Sequence, residues 1–190
     1  MDNSFRRIYW RCLEARESDE EFVERSLKQL EENLRNKPTE FVIECAKLED
    51  KEAEKVIRDL TDPSVEFVDK VSDLSLYFLE QSDATRLPGL VVCCQRGSLI
   101  AQQARSTNPL AQWGGKLGRL ALVWQPDNRH LIWHETLHLL GAEDCYDDET
   151  TEGTCEKEPQ CIMQYAPTEE SVALWPECLC VGTVSQGNRI

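Results

Sequence analysis

No apolar run in the chain approaches the roughly 20 residues needed to cross a bilayer as a helix, although 41% of its 190 residues are hydrophobic. A membrane-spanning helix is therefore not expected. The N-terminal stretch from Met1 to Arg16 scatters charge along its length and has no apolar segment of the kind a secretory signal needs. That points to the cytoplasm; a secreted protein whose signal has been removed is the alternative. Basic residues are in the minority, with 21 Lys and Arg against 35 Asp and Glu and a net charge of −14. Such a surface repels nucleic acid and anionic membrane at physiological salt. It suits a basic or unfolded peptide. Internal repeats and low-complexity tracts are absent, so a repeat array is not expected.

The acid that is present is unevenly placed, between Glu14 and Glu54 and again between Glu143 and Glu158. The first run reads as the solvated face of a helix. The cysteines number nine, an odd count that rules out complete pairing within the chain. Five of them, Cys145, Cys155, Cys161, Cys178 and Cys180, fall in the last third. In a reducing compartment that clustering favours metal ligation, and in a secreted protein it reads as disulfide bridges. Cys93-Cys94 ends the apolar run that starts at Leu90 and is expected to be ordinary buried strand.

Strong helix formers predict a helix from Asp2 to Arg35, with Phe22, Leu27, Leu30 and Leu34 among its apolar positions. A strand is expected within Thr39 to Ala46, a helix from Glu49 to Leu60, and a short strand from Ser64 to Val68. Asp69 to Glu80 fits either helix or strand. Leu90 to Cys94 and Leu120 to Trp124 read as strands, and Gln102 to Gly118 as loop-rich. Thr168 to Cys180 reads as a last helix, and the residues from Gly182 onward as a tail. The alternation of strands and helices predicts one α+β domain with an α/β-like core.

The most informative stretch runs from His134 to Asp144. His134 and His138 are four residues apart, so a helix places both imidazoles on one face, within reach of one metal ion. Glu135 lies beside that face, where it can deprotonate a metal-activated water. Pro126-Asp127 supplies a helix start with a capping carboxylate, and Gly141 allows a stop. Asp144 then offers a third ligand, with Glu143 as its rival. Two histidines and a carboxylate leave an open position on zinc, as hydrolysis requires. His130 would extend the histidine row, but eight residues span about 12 Å of helix, so it is read as an outer-shell or surface residue. Trp113, Trp124 and Trp133 are read as core or cleft-wall aromatics.

The pattern His134-Glu135-x-x-His138-x-x-Gly141-x-x-Asp144, followed by Cys161-Ile162-Met163-Gln164-Tyr165, resembles the metzincin zinc peptidases. The likeness covers Leu120 to Cys180. It implies a twisted mixed sheet with a backing helix and an active-site helix, and a small C-terminal subdomain. In those terms residues 1–190 form one catalytic domain, with a helical extension at 1–36, an upper part at 37–141 and a lower part at 142–190. It implies that Met163 forms an apolar floor under the zinc and that substrate lies extended against an edge strand, expected between Gly97 and Gly118. Asp144 stands where the usual third histidine would be, as in the snapalysin-like branch. The Met-x-Tyr at Met163 to Tyr165 is similar to that of astacins and serralysins, which makes Tyr165 a candidate oxyanion donor; an ordinary half-buried tyrosine is the other reading. Cys155, Cys161, Cys178 and Cys180, with Cys145 as an alternative, resemble the structural zinc ligands of archaemetzincins, though the spacing differs. The resemblance therefore implies a zinc peptidase with one catalytic zinc, a second structural one if the cysteines bind metal, and a peptide or protein substrate. A metal-stabilised protein-interaction module with an acidic surface is the competing reading.

Overall fold

In the computed structural model the described residues are 6–34, 41–45, 50–62, 64, 89–107, 114–117, 120–139, 142, 144 and 161–163. The chain opens with a strand, β1 (Arg6–Cys12). This corrects the expectation of a helix beginning at Asp2. Ile8 and Trp10 are buried while Tyr9 and Arg11, which alternate with them, are partly exposed. That is the two-residue period of a strand, carried by residue types that favour strands. The helical signal belongs to α1 (Glu17–Leu34) alone. The remaining elements are β2 (Phe41–Cys45), α2 (Asp50–Thr61), β3 (Gly89–Cys93), α3 (Leu99–Thr107), β4 (Gly114–Leu117), β5 (Leu120–Val123) and α4 (Arg129–Leu139). Helix α3 corrects the loop-rich expectation for its segment. Ser98 and Glu14 hold its first turn, with the Ser98 hydroxyl accepting from the Ala101 amide at 3.1 Å and the Glu14 carboxylate accepting from the Ile100 amide at 3.2 Å.

The protein is mixed α/β. Four strands run parallel in the order β2-β1-β3-β5, and β4 pairs antiparallel with β5 at the edge. The segment in which an edge strand was sought thus contains one. Leu90 to Cys94 are all at most 3% exposed, as expected of a central parallel strand covered on both faces. On one face Ile8, Trp10, Ile43, Val91, Cys93, Ala121 and Val123 pack against Val23, Leu27 and Leu30 of α1 and Leu131, Ile132, Trp133 and Leu137 of α4. The Trp133 indole N–H donates to the Ser26 carbonyl at 2.7 Å and fastens α4 to α1.

Helix α1 is anchored by Asp19. Its carboxylate accepts from the backbone amide and guanidinium of Arg16 and from the Gln95 side-chain amide. The bond to the Arg16 amide is the return half of a capping box. The bond from Gln95 ties the start of α1 to the chain leaving β3. No helix among the described residues is long and apolar enough to cross a membrane.

The expected strand at Ser64 to Val68 meets a described residue only at Ser64, which lies in a turn. The segments Asp69 to Glu80, Thr168 to Cys180 and the tail fall outside the described residues.

Candidate metal centre

Helix α4 follows β5 after the five residues 124–128 and starts at a side-chain cap. The Asn128 carboxamide oxygen accepts from the amides of His130 and Leu131 at 3.1 and 3.2 Å, satisfying two of the amides that a helix start leaves unpaired. The cap is therefore Asn128 and not Asp127. Residues 130 to 137 are all buried, so the helix carries its polar side chains into the protein interior.

His134 and His138 project from one side of α4 with their ring planes at 86°. Each ring is held by its Nδ1. The Nδ1–H of His134 donates to the Ile162 carbonyl at 2.9 Å, and that of His138 to the Ala142 carbonyl at 2.9 Å. A carbonyl can only accept, so the proton of each neutral ring is fixed on Nδ1 and the lone pair on Nε2. The two Nε2 atoms are 3.2 Å apart. Asp144 Oδ1 is 3.1 Å from each of them.

Three acceptor atoms thus form a nearly equilateral triangle, a costly arrangement without positive charge at its centre. The ionisation of the side chains reflects that pull. Burial works against a charged His138, yet Asp144 and Glu135 raise its pKa above the usual value. Burial likewise works against ionised Asp144, yet the two imidazoles hold its carboxyl well below the usual range. His134, His138 and Asp144 can hold a metal ion. Donors about 2.0–2.1 Å from a tetrahedral zinc lie about 3.3 Å apart, close to the three separations found here. The Nδ1 bonds to carbonyls are the usual outer support of ligating histidines.

Glu135 stands next to this triangle and is 6% exposed. Its Oε2 is buried and has no hydrogen-bond partner among the described residues. Burial pushes its pKa up, the neighbouring histidines lower it and Asp144 raises it further. A buried carboxylate oxygen left without a protein donor is suited to a water or substrate proton.

No family model, curated protein or solved structure matches this chain. Function must come from the site itself.

Met163 lies in a turn with Ile162, fully buried, in the same apolar cluster as Leu137, Ala142 and Cys161. Cys161 is 1% exposed. Tyr165, Cys145, Cys155, Cys178, Cys180, Glu143 and Gly141 lie outside the described residues, as does Trp113. His130 is not part of the metal-capable group. It is buried, with its ring edge-on to Trp133 and its Nε2 3.4 Å from the Arg129 guanidinium, which corrects the surface reading. Trp124 and Trp133 are buried at 2% and 5% exposure.

The contributions missed from sequence are mostly backbone. The Ile162 and Ala142 carbonyls that orient the rings leave no residue signature. Asn128 had one, because asparagine just before a helical run is a strong cap.

Proposed function

We propose that the chain is a zinc-dependent peptidase of metzincin type. The convergence of His134, His138 and Asp144 beside the unpartnered carboxylate of Glu135 is the observation that carries this reading. Bound zinc would acidify water and polarise a carbonyl. The two histidines, fixed in the Nε2 lone-pair form, and Asp144 hold it. Glu135 accepts the proton of the attacking water and delivers it to the leaving amine. Tyr165 is proposed to donate to the oxygen that gains charge.

A hydrolytic role is favoured over other uses of two histidines and one carboxylate, a donor set also found in non-haem iron centres. The buried base next to the triangle suits proton transfer from water. Edge strand β4, which pairs only with β5 among the described residues, suits an extended peptide bound by main-chain hydrogen bonds. The acidic surface favours basic or unfolded chains.

The test is cleavage of an unfolded protein by the full-length chain. Hydrolysis should be lost on chelation and return with zinc. A chain that binds one zinc through these residues and cleaves nothing is the interaction module instead.

A further inference from the structure

Four of the nine cysteines lie at the C-terminal ends of the three strands β2, β1 and β3, well away from the cysteines after Asp144: Cys45, Cys12, Cys93 and Cys94. Within that group two stand in a special relation. Cys12 and Cys93 occupy partnered positions in the parallel pairing of β1 with β3. Neighbouring strands lie about 4.7–4.9 Å apart, inside the 4.4–6.8 Å Cα separation that a disulfide spans. Trp10 and Cys12 are two apart on β1, as Val91 and Cys93 are on β3, so both thiols face the layer that holds Trp10 and Val91. The Cys12 thiol is close enough to Cys93 to push the Cys93 pKa up. Their exposures differ, since Cys93 is fully buried and Cys12 is partly accessible.

We propose that Cys12 and Cys93 form a redox-active dithiol that a hydroperoxide converts to a reversible disulfide across β1 and β3. Cys12 is the sulfur an oxidant meets, because it is the accessible one. Its sulfur attacks the peroxide oxygen. An S–O bond forms, the O–O bond breaks, and the alcohol (water, for hydrogen peroxide) leaves with the thiol proton. The Cys93 sulfur then attacks the Cys12 sulfenic sulfur. The S–S bond forms, the S–O bond breaks, and water departs with the Cys93 proton. Two thiols lose two electrons and one peroxide is reduced.

Cys93 suits the second role. The nearby Cys12 thiol and its complete burial both raise its pKa well above the usual value, so it persists as a thiol beside its partner until Cys12 is oxidised. The bridge would be reached from the partly accessible Cys12 side, and exposed disulfides are the labile, regulatory ones. The bridge would staple the two central strands beneath α1 and α4. This proposal is independent of the metal centre.

The test uses the full-length chain, folded and freed of metal by chelation, and hydrogen peroxide as the oxidant. After treatment, remaining thiols are alkylated and the protein is digested without reductant. The tryptic peptides 12–16 and 87–96 are expected as a linked pair, two hydrogens lighter than their sum and separated by dithiothreitol. Fragmentation should place the link on Cys93 and not on Cys94. In Cys93→Ser the sulfenic acid at Cys12 should accumulate and label several-fold more strongly with a 1,3-diketone, while Cys94→Ser should behave as the unaltered chain. A link from Cys12 to Cys45 or Cys94, or both sulfurs recovered as alkylated thiols, overturns the proposal. The peptide map of the unaltered chain decides even if Cys93→Ser does not fold.

Discussion

Glu135 and Asp144 are both carboxylates, and their surroundings separate their roles. Asp144 touches both imidazoles through one oxygen, which suits a ligand. Glu135 touches neither imidazole through any hydrogen bond among the described residues and keeps a buried oxygen without a donor, which suits a base. Glu135→Ala should therefore retain metal while hydrolysis falls by about 10²–10⁴-fold, the usual contribution of a positioned base. Metal content and turnover measured on the same preparation check this; unchanged turnover removes Glu135 from the chemistry. Asp144→Ala should weaken zinc binding by more than the roughly 10–100-fold that loss of an outer-shell partner costs, and competition with a chromophoric chelator reads it. At this scale much was legible in the sequence. The i, i+4 spacing of His134 and His138 fixes their common face on any helix, and Asp144 follows within reach of a turn. What was not legible is the support. Ile162 and Ala142 act through carbonyls, which every residue has, so nothing in their side chains announces the role.

The elements position the site through their ends. Asn128 caps α4 at the end that leads to His134, so Asn128→Ala should cost about 1 kcal/mol of stability, seen as a lower melting temperature. Asp19 performs a related task for α1. Its pKa is lowered from 3.8 to about 2, first by the hydrogen bond from Arg16, against the opposing effect of burial, and further by Gln95. The folded state thus prefers ionised Asp19. The stabilisation is complete above its ordinary pKa of 3.8 and is lost as pH falls toward about 2. Asp19→Asn should lower stability at neutral pH and flatten the acid limb of the stability profile across that interval; an unchanged acid limb in chemical denaturation would show that Asp19 is not the group responsible. The sequence announced α1 and α2 through their periodicity, α4 through its histidine spacing and end signals, and β3 through its apolar run. It concealed β1, because a short strand whose burial alternates from Ile8 to Arg11 sits just before a long run of strong helix formers, and summed propensity absorbed it. It concealed α3 because the neighbouring Asn108-Pro109 and Gly114-Gly115 dominate the segment as turn signals, while Glu14 holds the first turn from a place that sequence distance hides.

Among the described residues α1 and α4 cover one face of the sheet, and edge strand β4 and the histidine-bearing helix α4 both contact β5. Tertiary packing, not local pattern, brings the backing helix α1 onto α4 through Trp133 and Ser26, residues 107 apart. Metal bound only by the folded chain must stabilise it by mass action. Free zinc at about 100 times its dissociation constant contributes about 2.7 kcal/mol, so the melting temperature should rise with zinc and fall with chelator, and the rise should vanish in His134→Ala. The most direct test of the central claim is zinc content per chain after exhaustive dialysis, measured for the unaltered protein and for His134→Ala/His138→Ala. The account predicts that the double substitution removes one zinc per chain, leaving any further zinc that the cysteines hold. Equal zinc content in the two proteins, or none in the unaltered one, would contradict it.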